Sequence, residues 1–126
     1  MKPYLVDSVT NYKGAVISST KPEKYAELMT AKEASMLKDY MSSVTKYGTA
    51  ASAMSGTSYT TAGKTGTAEY SSDKNKDHSW FIGMSNVDDP DLVVAVIAED
   101  GGTGSQTAVP IAAQVFQAYY SVKGIS

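Results

Sequence analysis

A chain of 126 residues is long enough to bury one core and too short for two. Hydrophobic residues at 42% against 19% charged exclude the composition of a disordered chain, and a net charge of −2 with scattered basic residues excludes a nucleic-acid-binding surface. Zero cysteines and the single histidine His78 exclude disulfides, thiol nucleophiles and His- or Cys-rich metal sites, so neither a metal nor a cofactor is expected.

No apolar run approaches the roughly 20 residues that span a bilayer, and this segment is expected to be soluble. Met1-Lys2-Pro3 leads straight into strand-like Tyr4-Leu5-Val6 without the apolar stretch of a signal peptide, so any anchor is expected outside this chain. Residues 4–9 and 15–18 are β-prone runs around Asn11-Tyr12-Lys13-Gly14, whose Asn and Gly supply turn chemistry; a hairpin is expected within residues 1–20. Thr30 and Glu33 make a capping box, and Leu37, Tyr40, Met41 and Val44 follow at helical spacing. That predicts a helix over 30–48 with one apolar face, stopped by Gly48.

The small residues 49–56 fit either a short helix or a loop. Residues 58–70 are rich in Thr and Tyr and read as an extended strand, with Gly63 and Gly66 marking close approach to a ligand or another backbone. A polar loop over 71–77 follows, then strands over 78–84 and 92–98 joined across a turn marked by Asp89-Pro90-Asp91. Residues 58–98 thus predict a three-stranded antiparallel meander. After Gly101-Gly102-Thr103-Gly104 breaks the pattern, Ala112, Val115, Phe116 and Tyr119 predict a terminal helix over 106–123, with Pro110 suited to its first turn. The fold class is mixed α/β of the α+β kind: an antiparallel sheet flanked by helices.

The most informative stretch is Ala62-Gly63-Lys64-Thr65-Gly66-Thr67-Ala68-Glu69. Gly63-Lys64-Thr65 superficially matches a phosphate loop, but that motif needs a glycine where Ser58 stands and a helix where the pattern continues as strand. The triplet Lys64-Thr65-Gly66 instead resembles the Lys-Thr-Gly strand of penicillin-recognising serine acyltransferases. The resemblance extends through His78-Ser79-Trp80-Phe81-Ile82-Gly83, residues 93–99, Gly101-Gly102-Thr103-Gly104 and Ala108-Val109-Pro110-Ile111-Ala112. Met1-Lys2-Pro3-Tyr4-Leu5-Val6 and Gly48-Thr49-Ala50 are similar to segments before the triplet in class B penicillin-binding proteins, so residues 1–126 resemble the C-terminal part of their transpeptidase domain.

The resemblance implies roles. The Lys64 ammonium would attract the terminal carboxylate of a D-alanyl-D-alanine peptide or the acid group of a β-lactam, and the Thr65 hydroxyl would bind the same anion. Gly66 would let the acyl group lie against the strand edge, and the Thr67 amide would serve the oxyanion hole. Lys64 is thus the catalytic candidate, with Thr65, Gly66 and Thr67 as substrate-binding residues. The implied setting is peptidoglycan cross-linking on the extracytoplasmic side of the bacterial membrane by a membrane-anchored parent protein. Three neighbouring strands of the family's five-stranded sheet would be present here.

The family also uses a Ser-x-x-Lys nucleophile well upstream and a Ser-x-Asn motif. Ser-x-Asn is absent; Ser-x-x-Lys occurs at Ser18/Lys21, Ser35/Lys38, Ser43/Lys46 and Ser71/Lys74, all too near the triplet for the family arrangement. The chain is therefore expected to be a fragment, inactive alone, whose bare sheet edge and face associate with the missing N-terminal half of the domain or with a second copy. A β-lactamase or D,D-carboxypeptidase, a penicillin-sensor domain and a non-catalytic binding module are the competing readings. His78 reads as a surface or structural residue, Trp80 and Phe81 as pointing to opposite sides of one strand, Glu69 as on the opposite face from Lys64 with no catalytic role, and Glu99-Asp100 as solvated.

Overall fold

The computed structural model describes residues 1–73 and 76–124. It comprises two compact units, Met1–Glu33 and Ala34–Ser126.

In the first unit, strand β1 (Ser8–Thr10) pairs antiparallel with β2 (Val16–Ser19). The side-chain oxygen of Asn11 accepts the N–H groups of Lys13 at 2.9 Å and Ala15 at 3.0 Å, holding the turn, and Gly14 takes the left-handed conformation with φ 82°. Pairing grows outward from that turn, so the strands lie nearer to it than the apolar residues 4–6 suggested, and Leu5 is fully exposed. The unit closes on the capping box. Thr30 N donates to the Glu33 carboxylate at 2.7 Å and Glu33 N to Thr30 Oγ1 at 3.3 Å, and the Thr30 backbone bond lowers the Glu33 pKa.

Helix α1 (Ala31–Lys46) starts from that box. Its apolar stripe is its packing face only in part: Val44 packs against the core and Met41 is half-buried, Leu37 and Tyr40 remain exposed, and Ser42 and Thr45 are buried beside them. Small side chains let the end of the helix come against the sheet, where Thr45 Oγ1 donates to Thr61 O at 2.6 Å. A single helical turn, α2 (Ala51–Met54), resolves the ambiguity of the small-residue stretch.

Strands β3 (Thr61–Glu69), β4 (Asp77–Ser85) and β5 (Leu92–Ala98) form an antiparallel sheet in that order, with β3 at one edge. The register pairs Thr65 with Phe81 and Phe81 with Val96. Alternation therefore puts Phe81 and Val94 on one face, where helix α3 (Ala108–Lys123) buries them with Val109, Ala112 and Phe116. Trp80, Ile82, Val93 and Ile97 occupy the other face and stay exposed, Val93 by 72%. One sheet face is helix-covered, and these four side chains of the other face are all exposed.

The core is fixed by two devices. The Phe81 ring fills a slot that two glycines leave open: a β-carbon at Gly63 would fall 2.3 Å from its Cζ, and one at Gly83 2.6 Å from its Cε1. Buried Ser79 anchors the start of α3, its Oγ accepting from Ala108 N at 3.0 Å and donating to Thr103 O at 2.9 Å. The far end of α3 is tied to the start of β5 by Asp91, whose carboxylate accepts from Ser85 Oγ at 2.9 Å and Tyr120 Oη at 2.7 Å and faces Lys123 Nζ at 3.4 Å. Tyr59 stacks on Tyr120 with ring centroids 3.9 Å apart.

Candidate functional site

Lys64, Thr65, Gly66 and Thr67 are consecutive on β3, with Lys64 and Thr67 exposed and Thr65 and Gly66 half-buried. Their edge position matters through the hydrogen-bond ladder. Asn86 N donates to Thr60 O at 2.9 Å, and Thr61 O is taken from the opposite side by Thr45. In an antiparallel pair the direction alternates residue by residue, so Lys64 and Gly66 bond to β4 while Thr65 and Thr67 turn N–H and C=O outward. Beyond Thr61, the outer edge of β3 has no strand partner among the described residues. An extended ligand backbone can pair with it, and the Thr67 N–H is a donor available to a developing negative charge.

Side chains frame the same edge. The Lys64 ammonium, exposed and with no carboxylate in salt-bridge range among the described residues, folds onto the carbonyl of Thr65 at 2.7 Å. An anion arriving there would compete for it, since charge-assisted bonds outweigh neutral ones. Thr65 Oγ1 lies 3.0 Å from Thr49 Oγ1, in the turn between α1 and α2. From the α3 side, Gly104 presses on the same strand: a β-carbon there would lie 2.6 Å from Trp80 O, 2.7 Å from Gly66 O and 3.0 Å from Gly66 N. The Gly66–Thr67 segment thus rests on main chain with no room for adjustment.

Beyond Thr67 the strand ends in a clamp. Tyr70 stacks on His78 with centroids 4.3 Å apart and donates its hydroxyl proton to the Asp100 carboxylate, while Asp100 N donates to His78 Nδ1 at 3.3 Å. The Asp100 bond, with the nearby negative charges adding to it, pushes the Tyr70 pKa up to about 12. His78 is structural here. Asp100 is exposed, as its sequence position suggests, and is also an acceptor in this clamp, where positive φ (50°) folds the chain back over the sheet end.

Among the described residues, neither Ser-x-x-Lys pair of α1 has its lysine hydrogen-bonded to its serine. Ser18 lies in the first unit on β2. In α1, Lys38 Nζ donates to Val87 O at 2.9 Å, away from Ser35, and Ser43 Oγ donates to Asp39 O at 3.1 Å as an ordinary back-bonded helix hydroxyl. Lys74 lies outside the described residues. No cluster of three or more His, Cys, Asp or Glu that could hold a metal, and no helix long and apolar enough to cross a membrane, occurs among the described residues. A cleft of 410 Å³ opens between residues 53–59 and α3, lined by Tyr59, Gln114, Gln117 and Tyr120 and by none of Lys64 to Thr67. The candidate site is an open strand edge with one wall.

Lys64 to Thr67 stand out in the sequence because they are contiguous, whereas Thr49 and Gly104 meet that strand across long sequence separations, with only the small residues at 48–50 and the glycine cluster at 101–104 as local signals.

Comparison with known proteins supplies the context for this edge. A family model described as the penicillin binding protein transpeptidase domain matches residues 1–117. The chain is 36% identical over 118 residues to peptidoglycan D,D-transpeptidase PbpA of Mycolicibacterium smegmatis, covering 88% of this chain and 24% of that protein. It is 38% identical over 85 residues to peptidoglycan D,D-transpeptidase MrdA of Haemophilus influenzae, covering 57% of this chain and 13% of that one. Among solved structures it is similar to the D,D-transpeptidase domain of a peptidoglycan glycosyltransferase from Eggerthella lenta, with TM-score 0.81, 35% identity, and coverage of 98% of this chain and 28% of the other. It is also similar to penicillin-binding protein A of M. tuberculosis in a ceftriaxone acyl-enzyme complex, with TM-score 0.77, 31% identity, and coverage of 92% and 27%. The chain spans a quarter or less of the length of these two curated relatives.

Proposed function

We propose that this chain, which belongs to the family of penicillin-binding protein transpeptidase domains, supplies the substrate-binding strand of a class B peptidoglycan D,D-transpeptidase. A peptide ending in D-alanyl-D-alanine lies along the outer edge of β3 as an added strand. Its terminal carboxylate takes the Lys64 ammonium from the Thr65 carbonyl and accepts a hydrogen bond from the Thr65 hydroxyl. Gly66 leaves room for the acyl carbon beside the strand.

A serine from outside this chain attacks the penultimate carbonyl. Its oxygen forms the new ester bond, and negative charge gathers on the carbonyl oxygen, where the Thr67 N–H stabilises it. The terminal D-alanine leaves with a proton as the amine, and an acceptor amine then displaces the serine, restoring an amide. A β-lactam enters at the same step, its ring amide taking the place of the scissile bond. The observation that carries this reading is the outward N–H and C=O of Thr65 and Thr67 at an unpaired strand edge beside Lys64.

The parent protein acts on the extracytoplasmic side of the membrane, and this chain by itself is inactive because the nucleophilic serine comes from outside it. Trp80, Ile82, Val93 and Ile97 form the contact for the rest of the domain, or, in its absence, for a second copy. Intact-mass analysis after incubation with benzylpenicillin tests the assignment. The isolated chain should gain no mass and the complete parent one penicilloyl group; a stoichiometric adduct on a serine of the isolated chain would refute the inactivity. Sedimentation should show concentration-dependent association that Ile82→Lys weakens.

A further inference from the structure

We infer that Thr49 is a positioning residue for the carboxylate site, acting through the Thr65 hydroxyl; this rests on the reading of β3 as the carboxylate-binding strand. An ionised carboxylate only accepts hydrogen bonds, so on binding it takes the one proton of Thr65 Oγ1 and leaves that oxygen with acceptor capacity alone. Thr49 Oγ1, 3.0 Å away, then donates into it. The two hydroxyls form a directed chain from Thr49 to Thr65 to anion, in which each bond polarises the next. Without Thr49 the Thr65 hydroxyl is a free rotor that must be oriented by the ligand itself.

The position of Thr49 is held independently of the ligand. Thr45, 4% exposed, donates its hydroxyl to Thr61 O and lies within hydrogen-bonding distance of Ser42 O. Gly48 N donates to Ser43 O at 3.1 Å and Ala50 N to Val44 O at 3.2 Å, with Ala50 fully buried. Thr45 meets Thr61 and Thr49 meets Thr65, each across sixteen residues, so the end of α1 and its turn run alongside β3 and deliver the second hydroxyl at a fixed place. The rest of the turn's hydrogen bonds are main-chain, and the Thr49 side chain makes no other bond among the described residues.

The test uses the complete parent protein and two probes, benzylpenicillin and its methyl ester, which carries no anionic carboxylate. Acylation rate constants are measured for the unmodified protein, Thr49→Val and Thr49→Ser. The unmodified protein should favour the acid. Thr49→Val should slow acylation by the acid about threefold to tenfold, the range of one lost hydrogen bond, and slow the ester less, whose uncharged carbonyl is the weaker acceptor; Thr49→Ser should restore the preference. An equal slowing of both probes would make Thr49 merely structural, and no slowing would remove its role; either result overturns the inference while leaving the strand assignment intact. Absence of any acid preference in the unmodified protein would instead overturn the strand assignment, and this inference with it.

Discussion

Replacing Gly104 by alanine drives a methyl group toward the main chain of β3 and β4. Its carbon would fall 2.6 Å from Trp80 O and 2.7 Å from Gly66 O, whereas contacts of this kind essentially never close below 3.0 Å. Relief requires a displacement of about 0.4 Å between the 101–104 turn and the Gly66–Thr67 segment, comparable with the roughly 0.5 Å within which a catalytic group must be held. A 1 Å misplacement costs on the order of a hundredfold in rate, so Gly104→Ala should slow acylation of the complete parent protein by about tenfold. Overpacking should also lower stability by about 1–3 kcal/mol. The control is Gly56→Ala: that glycine has φ +75° and no neighbour within 4 Å, so its substitution strains the backbone by about 1–2 kcal/mol without touching β3. Stopped-flow acylation by a fluorescent penicillin, with urea denaturation of each variant, separates the two effects. If both variants lose similar stability and both keep the unmodified acylation rate, Gly104 does not buttress the Gly66–Thr67 segment and the reasoning fails.

Three further outcomes are expected. Asp91→Asn should destabilise the chain at neutral pH; the Tyr120 hydrogen bond chiefly lowers the Asp91 pKa, opposed by desolvation and aided by Ser85 and Lys123. A depressed carboxylate pKa gives stability present above the unfolded value of about 3.9 and lost as pH falls through the folded one, so urea melts of the two proteins should converge in acid. In alkaline spectrophotometric titration, Tyr70→Phe should remove one phenol that ionises only near pH 12; because that pKa is raised by the Asp100 bond, the stability it contributes is present below about pH 10 and lost above. Ser79→Ala strands the Ala108 N–H in the core and should cost about 1–3 kcal/mol by thermal or urea denaturation.

The α+β class was legible because strand and helix periods leave different marks. Phe81 is buried and Trp80 exposed as alternation requires, and Ala112 and Phe116 face the core at helical spacing. Periodicity says that a face wants covering and not what covers it, which is why Val44 of the α1 stripe meets the core while Leu37 and Tyr40 of the same stripe stay exposed. The same limit hid how the strand residues are supported. Lys64 to Thr67 announce themselves locally, but Thr49 meets Thr65 across sixteen residues and Gly104 meets Gly66 across two whole strands and their connections. Asp91, which looked like part of a turn, ties Ser85, Tyr120 and Lys123 together, and no local pattern in the sequence joins those four positions.

The glycine slot around Phe81 couples three letters of the sequence. Because the ring occupies the volume that side chains at Gly63 and Gly83 would need, these positions are expected to vary as a set: Gly63→Ala should be tolerated only beside a smaller residue at 81. Gly63 immediately precedes Lys64, so the vocabulary open to the residue before the Lys-Thr-Gly triplet is set by an aromatic ring on the neighbouring strand. A library probing how much change this strand accepts should randomise 63, 81 and 83 jointly, since one-at-a-time scanning would score each as invariant and miss the combinations that fit.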